Sequence, residues 1–207
     1  MNQSNNRALS YRFYDVILAL ITWLAIIIQV IINENIANLF SYFTILTNLS
    51  IAASLSYSLI RPDTKAGRFF STSSFQSALA SYIIIVSLIY NFVIRNSWHQ
   101  PFLEFTSDNI LHIITPVLYV LRWVLFIPKR TLKWNDSLKW LIVPFAYLFY
   151  SLIRGSIVNW YPYAFIDLRQ ISIVIALQNI VMTAFAFWVI GLLLIAANHW
   201  FKMEKIK

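Results

Sequence analysis

Long apolar runs separated by short polar stretches set the rhythm of this chain. Six runs, about residues 11–32, 38–60, 72–94, 108–127, 138–159 and 171–197, are each roughly 20–27 residues long. At about 1.5 Å per residue, that length carries a helix across the hydrocarbon core of a bilayer. The runs consume nearly the whole chain. The pattern therefore predicts an all-α integral membrane protein, a single transmembrane domain over residues 1–207 built as a bundle of six transmembrane helices. The first run follows basic residues as a signal sequence would. Its apolar core is too long for one, and Asn33-Glu34-Asn35-Ile36 offers no small-residue cleavage site, so it reads as an uncleaved span.

Composition agrees with the pattern. Only 12% of the residues are charged, against about 25% in a soluble domain. With three glycines there is little material for a glycine seam, so close helix packing falls to Ala, Ser and Thr. Ser50, Ser54 and Ser58 suggest such a ridge on the second run. The absence of cysteine excludes disulfides, thiolate metal sites and a cysteine nucleophile.

A net charge of +8 would suggest nucleic acid in a soluble protein, but its distribution excludes that partner. Arg7, Arg12, Arg61, Lys65, Arg68, Lys129, Arg130, Lys133, Lys139, Lys202, Lys205 and Lys207 fall at alternate ends of the runs. The positive-inside rule then places both termini in the cytoplasm and loops 33–37, 95–107 and 159–170 outside. Membrane lipids are the expected partners, with basic loops against anionic headgroups. Nothing in the sequence sets an oligomeric state.

Polar residues inside the runs carry the candidate chemistry. Asp108-Asn109-Ile110-Leu111-His112-Ile113-Ile114-Thr115-Pro116 opens the fourth run and puts a histidine in a segment that must sit in hydrocarbon. Asp108 lies one helical turn before His112 and shares its face. It suits either an orienting partner for the ring or the helix N-cap. Pro116 loosens the backbone ladder one turn further in. On the second run, Thr44, Thr47 and Asn48 share a helical face. Thr44 falls about six residues into its run, roughly 9 Å, and His112 about four into its own, roughly 6 Å, so the two can meet at one depth.

Arg154, Gln178 and Asn179 fall in the same half of the bundle, which leaves the inner half the less polar one. Arg154 reads either as a cation snorkelling to the outer interface or as one turned toward the polar cluster. Asp15 has a potential partner in Arg122, which with Trp123 resembles an inner-interface anchor, while His99 suits the outer interface and His199 the inner one. A metal site is not expected, because one intramembrane histidine with only Asp108 at helical spacing is too few ligands. No cofactor motif is present. A small transporter or channel, or a non-catalytic lipid-binding protein, would place polar groups similarly.

Tyr42-Phe43-Thr44, the stretch Asn109 to Pro116 with its histidine, and Trp160-Tyr161-Pro162-Tyr163 together resemble the androgen-induced and androgen-dependent membrane hydrolases and their bacterial relatives. The resemblance covers most of the chain in the order and spacing of its segments. It implies the cytoplasmic membrane of a bacterium as location, and an intramembrane hydrolase of lipid esters as function. In the eukaryotic members a threonine and a histidine cleave fatty acid esters of hydroxy fatty acids; the matching positions are Thr44 and His112. Here the histidine-to-proline interval is one residue shorter, and Thr47 offers an alternative nucleophile. A threonine hydroxyl needs an adjacent base, which a neutral imidazole supplies. Asn48, Gln178, Asn179 or Arg154 could then stabilise the oxyanion, with Asp108 orienting the base.

Overall fold

The computed structural model describes residues 3–95 and 101–200, with side chains from residue 9 onward. His99 and the lysines at 202, 205 and 207 lie outside the described residues, as does the side chain of Arg7. Six long apolar helices form the molecule: α1 (Gln3–Ile32), α2 (Phe43–Ile60), α3 (Ser73–Ile94), α4 (Phe102–Phe126), α5 (Asp136–Val158) and α6 (Ile173–Trp200). Each is long and apolar enough to cross a bilayer. An even number of crossings returns the chain to the end where it began, called here the terminal end. The loops before α2, α4 and α6 lie at the distal end.

Two helices begin elsewhere than the apolar pattern suggests, and both shifts move the site. The second run does not start at residue 38. Asn35 accepts from the Asn38 N–H at 2.9 Å and nucleates a separate short helix, Ile36–Leu39. The chain then turns through Ser41, whose carbonyl and hydroxyl are held at 2.8 Å by Tyr147 and Tyr150 of α5. Tyr42 is extended (φ −80°, ψ 131°), and α2 starts at Phe43 with no side-chain cap. The fourth run starts earlier than residue 108. Pro101 precedes the first turn of α4, where a missing N–H costs nothing. Asp108 is therefore mid-helix and is not an N-cap.

Packing is uneven. Half of the most apolar window is buried in α2 and in α3, but only 11% in α5, so α5 is a peripheral helix. Gly155 allows the distal loop onto it, since a Cβ there would fall 2.2 Å from the Tyr161 ring. Asn159, in the left-handed conformation (φ 52°), ends α5 and turns the chain into that loop. The serine ridge on α2 is discontinuous: Ser54 is buried, whereas Ser50 is exposed and bonds back to the Leu46 carbonyl at 2.7 Å.

The terminal half is more polar than its sequence suggests. Arg122 and Trp123 are not interface anchors but core residues, 1% and 2% exposed. Arg122 binds Asp15 through Nε at 2.5 Å and Nη2 at 2.9 Å, so the anticipated partnership forms deep in the bundle. Gln76 and Tyr11 complete its shell at 3.0 and 2.5 Å. Trp123 donates to Ser77 at 2.7 Å. His199 closes this end by contacting the Leu132 carbonyl at 2.9 Å.

Candidate active site

Pro116 shapes the fourth helix around its histidine. Proline has no N–H, so the carbonyls one turn earlier lose their helical partner. The helix widens into a π turn over Ile110–Ile114, a local distortion common at functional positions. Side chains from two neighbours meet the released oxygens. Ser87 and Asn91 of α3 donate to the His112 carbonyl at 2.7 and 3.3 Å, and Asn48 of α2 donates to the Leu111 carbonyl at 3.3 Å. In hydrocarbon an unmet carbonyl costs several kcal/mol, so these contacts set the helix register as well as the ladder.

His112 is buried and held on three sides. Its Nδ1 lies 2.9 Å from the Asp108 carbonyl oxygen, which can only accept. In the neutral ring the proton therefore sits on Nδ1, and Nε2 keeps its lone pair. Tyr90 stacks on the imidazole, centroids 3.6 Å apart at 12°. The Tyr90 hydroxyl donates to the Asp108 carboxylate at 3.2 Å, and Gln29 of α1 donates to the same carboxylate at 3.0 Å. Asp108 thus orients the base through its backbone carbonyl, and through its carboxylate it holds the ring stacked on that base.

Thr44 is the second residue of α2. The intrahelical ladder begins with the Leu46 N–H bonding the Tyr42 carbonyl at 3.1 Å, which leaves the N–H groups of Phe43, Thr44 and Ile45 without a helical acceptor. The Thr44 N–H points at the Tyr163 hydroxyl, 3.4 Å away. Burial pushes the Tyr163 phenol up, so it stays protonated and keeps an O–H to donate. Thr44 therefore sits at the positive end of a helix dipole, beside a phenol.

Two cavities meet at this threonine. A polar chamber of about 590 Å³ is lined by Thr44, His112, Asp108, Glu104, Tyr90 and Tyr163, among others. A narrow apolar slot of about 90 Å³ runs from Thr44 between α3, α5 and α6, past Val86, Leu148, Ala184 and Phe187. Thr44, Tyr90 and Tyr163 line both.

The remaining sequence candidates go elsewhere. Thr47 is buried and lines neither cavity. Asn48 spends its amide on two carbonyls, Thr44 at 2.9 Å and Leu111 at 3.3 Å, so it straps the threonine turn to the histidine turn rather than facing an oxyanion. Arg154 turns to the loops, bonding Asn38 at 2.7 Å and lying 5.0 Å over the Trp160 ring. Gln178 is exposed on the outer surface of α6, and Asn179 donates to the Phe165 carbonyl at 2.9 Å. None of these four is positioned as an oxyanion donor.

The residues that sequence reasoning missed are Gln29, Tyr90 and Tyr163, with the first-turn N–H groups of α2. Only Tyr163 carried a signal, as part of Trp160-Tyr161-Pro162-Tyr163. Among the described residues, no group of three or more His, Asp or Glu side chains could hold a metal ion. Comparison with protein-family models, curated proteins and solved structures gives no match to this chain.

Proposed function

We propose that the protein is an intramembrane lipid-ester hydrolase of a bacterial cytoplasmic membrane, related to the androgen-induced and androgen-dependent membrane hydrolases. The observation that carries this reading is a threonine in an uncapped first helical turn, sharing one cavity with a buried histidine whose Nε2 lone pair is available.

The Thr44 hydroxyl attacks the ester carbonyl carbon while its proton passes to His112 Nε2. The carbonyl oxygen becomes an oxyanion and accepts from the first-turn N–H groups of α2 and from the Tyr163 O–H. Collapse of the tetrahedral intermediate breaks the bond to the alcohol, which leaves with the proton held by His112. Water then attacks the acyl-threonine, again deprotonated by His112, and the fatty acid is released. The apolar slot suits the acyl chain, and the polar chamber suits the alcohol part and the hydrolytic water. The slot runs along α5, the least buried helix, which favours entry of substrate from the lipid side.

The test is covalent labelling of purified protein with a fluorophosphonate, read by intact mass. One adduct is expected on wild type and none on Thr44→Ala. Equal labelling of both proteins would remove Thr44 as nucleophile. A wild type that binds lipid esters but neither cleaves them nor takes the label would reduce the cavities to a lipid-binding site.

A further inference from the structure

The apolar slot beside Thr44 is closed toward the terminal end, and the groups that close it bound the acyl chain it can take. There its lining stops at Ile85 of α3, Leu141 of α5 and Phe187 of α6. One turn further along α3 stands Tyr82, whose hydroxyl donates to the Trp140 carbonyl of α5 at 2.6 Å. That bond ties α3 to α5 just past the end of the slot. Three buried rings fill the same layer. Phe187 meets Phe43 at 5.7 Å and Tyr82 at 6.0 Å, and Phe43 meets Tyr82 at 5.9 Å. Another turn along α6, a Cβ on Gly191 would fall 3.3 Å from Ser137 and 3.4 Å from Trp140, so α6 lies close against α5 there.

Length and volume agree on a small occupant. Along α3 the lining runs from Ile94 to Ile85, about 14 Å at roughly 1.5 Å per residue. With carbon–carbon bonds of about 1.5 Å, an extended palmitoyl chain is longer than the whole slot. Only the part past Tyr90, roughly 8 Å, lies beyond the junction with the chamber. The volume is more restrictive still. An apolar cavity of about 150 Å³ holds one benzene, and the slot offers about 90 Å³. With its carbonyl at the junction, an acyl group of about four to six carbons fills that space.

We infer that the slot selects short acyl chains, of butanoyl to hexanoyl size, with Phe187 setting the limit. This rests on the hydrolase reading and deepens it. Phe187 sets the limit because its ring both lines the slot and packs into the layer that closes it. Ala184, one turn nearer the distal end, sets the bore by lining the slot with a single methyl group. The bulk of the substrate then lies on the alcohol side, where the chamber offers about 590 Å³. A long acyl chain would have to pass Phe187 or leave sideways between α5 and α6.

The experiment follows acetyl, butanoyl, hexanoyl, decanoyl and palmitoyl esters of one fluorogenic phenol, at equal mole fraction in uncharged detergent micelles. Binding of the matching non-cleavable alkyl ethers to the same purified protein is measured in parallel. The optimum is expected at butanoyl or hexanoyl, with at least a tenfold higher kcat/KM than palmitoyl and at least a tenfold lower Kd for the ether. Phe187→Ala should bring both ratios below threefold. Ala184→Leu should lower hexanoyl cleavage and hexyl ether binding at least tenfold while sparing the acetyl ester. Ala184 is only half-buried, so this variant is expected to fold and decides the matter even where Phe187→Ala does not fold. Equal handling of all chains, or a preference for palmitoyl, would overturn the inference and leave the hydrolase standing. If no ester is cleaved while the ether ratio holds and responds to Ala184, the hydrolase reading fails and the size limit of the slot remains. If no ester is cleaved and the ethers bind alike, both fail.

Discussion

Two polar assemblies lie inside this bundle, and both stitch α1, α3 and α4 together. At the terminal end, Arg122 meets Asp15, Gln76 and Tyr11 through all three guanidinium nitrogens, and neither cavity reaches it. At the distal end, His112, Asp108, Tyr90 and Gln29 form a comparable knot, but it borders a chamber of about 590 Å³. Its histidine keeps a lone pair, and the threonine turn across the chamber keeps N–H groups with no helical acceptor. The difference lies in saturation. A closed network of donors and acceptors is a staple, whereas one with spare capacity facing open space is equipped to bind and react.

Mutations that separate activity from stability test this contrast most strongly. His112→Ala should lower ester cleavage by roughly 10²–10⁴-fold, the usual contribution of a general base. Its thermal unfolding in detergent should fall by far less than the rate, since Asp108 keeps its bonds to Tyr90 and Gln29 and the rest of the knot stays closed. Rate loss explained wholly by a lower folded fraction would erase the distinction between the two assemblies.

Arg122→Met should show the reverse behaviour. It leaves Asp15 buried without its cation, a loss of about 3–5 kcal/mol. The double variant Asp15→Leu with Arg122→Met should recover most of that, because a matched apolar pair needs no counter-charge. Unfolding by heat or by denaturing detergent gives the stabilities, and the surviving folded protein should cleave esters at a near wild-type rate. A double variant no more stable than the single one would show that this network does more than balance charge.

Asn48→Ala should give an intermediate result touching both properties. It leaves the Leu111 carbonyl unmet, at about 1–3 kcal/mol, and frees the threonine turn from the histidine turn. A lower kcat in protein shown to be folded is expected, with little change in the ability to bind a non-cleavable ether. Unchanged kcat would mean that packing alone aligns the two turns.

The smallest effect belongs to the distal loop. The hydrogen-bonded Arg169 guanidinium holds the Asp167 carboxyl below its ordinary value of 3.8. A depressed folded value means that the ion pair stabilises the loop above that pH and loses the contribution as pH falls through the lower folded value. Asp167→Asn should remove this acid sensitivity, read as hydrogen exchange in the 160–172 loop between pH 5 and 3. Identical exchange in both proteins at low pH but not at neutral pH is the expected pattern.

The sequence by itself determined that six helices are long and apolar enough to cross a bilayer. That follows from local physics: in hydrocarbon each segment must satisfy its own backbone, so apolar length dictates the element. It also marked Thr44, His112 and the Asp15–Arg122 pair, because a polar side chain inside such a run stands out. It did not reveal where α2 begins. No glycine or proline breaks residues 36–43; the turn is held by Tyr147 and Tyr150 on a helix a hundred residues away. That turn decides that Thr44 lies in an uncapped first turn, and hence where the oxyanion donors are. Tyr90, Gln29 and Gln76 were equally silent, since each acts only through the partner that helix rotation brings to it. Arg154, Gln178 and Asn179 shared the right depth, and the facing of their helices sent them to the loops or the outer surface. Depth is written along the chain; facing is settled only when helices pack.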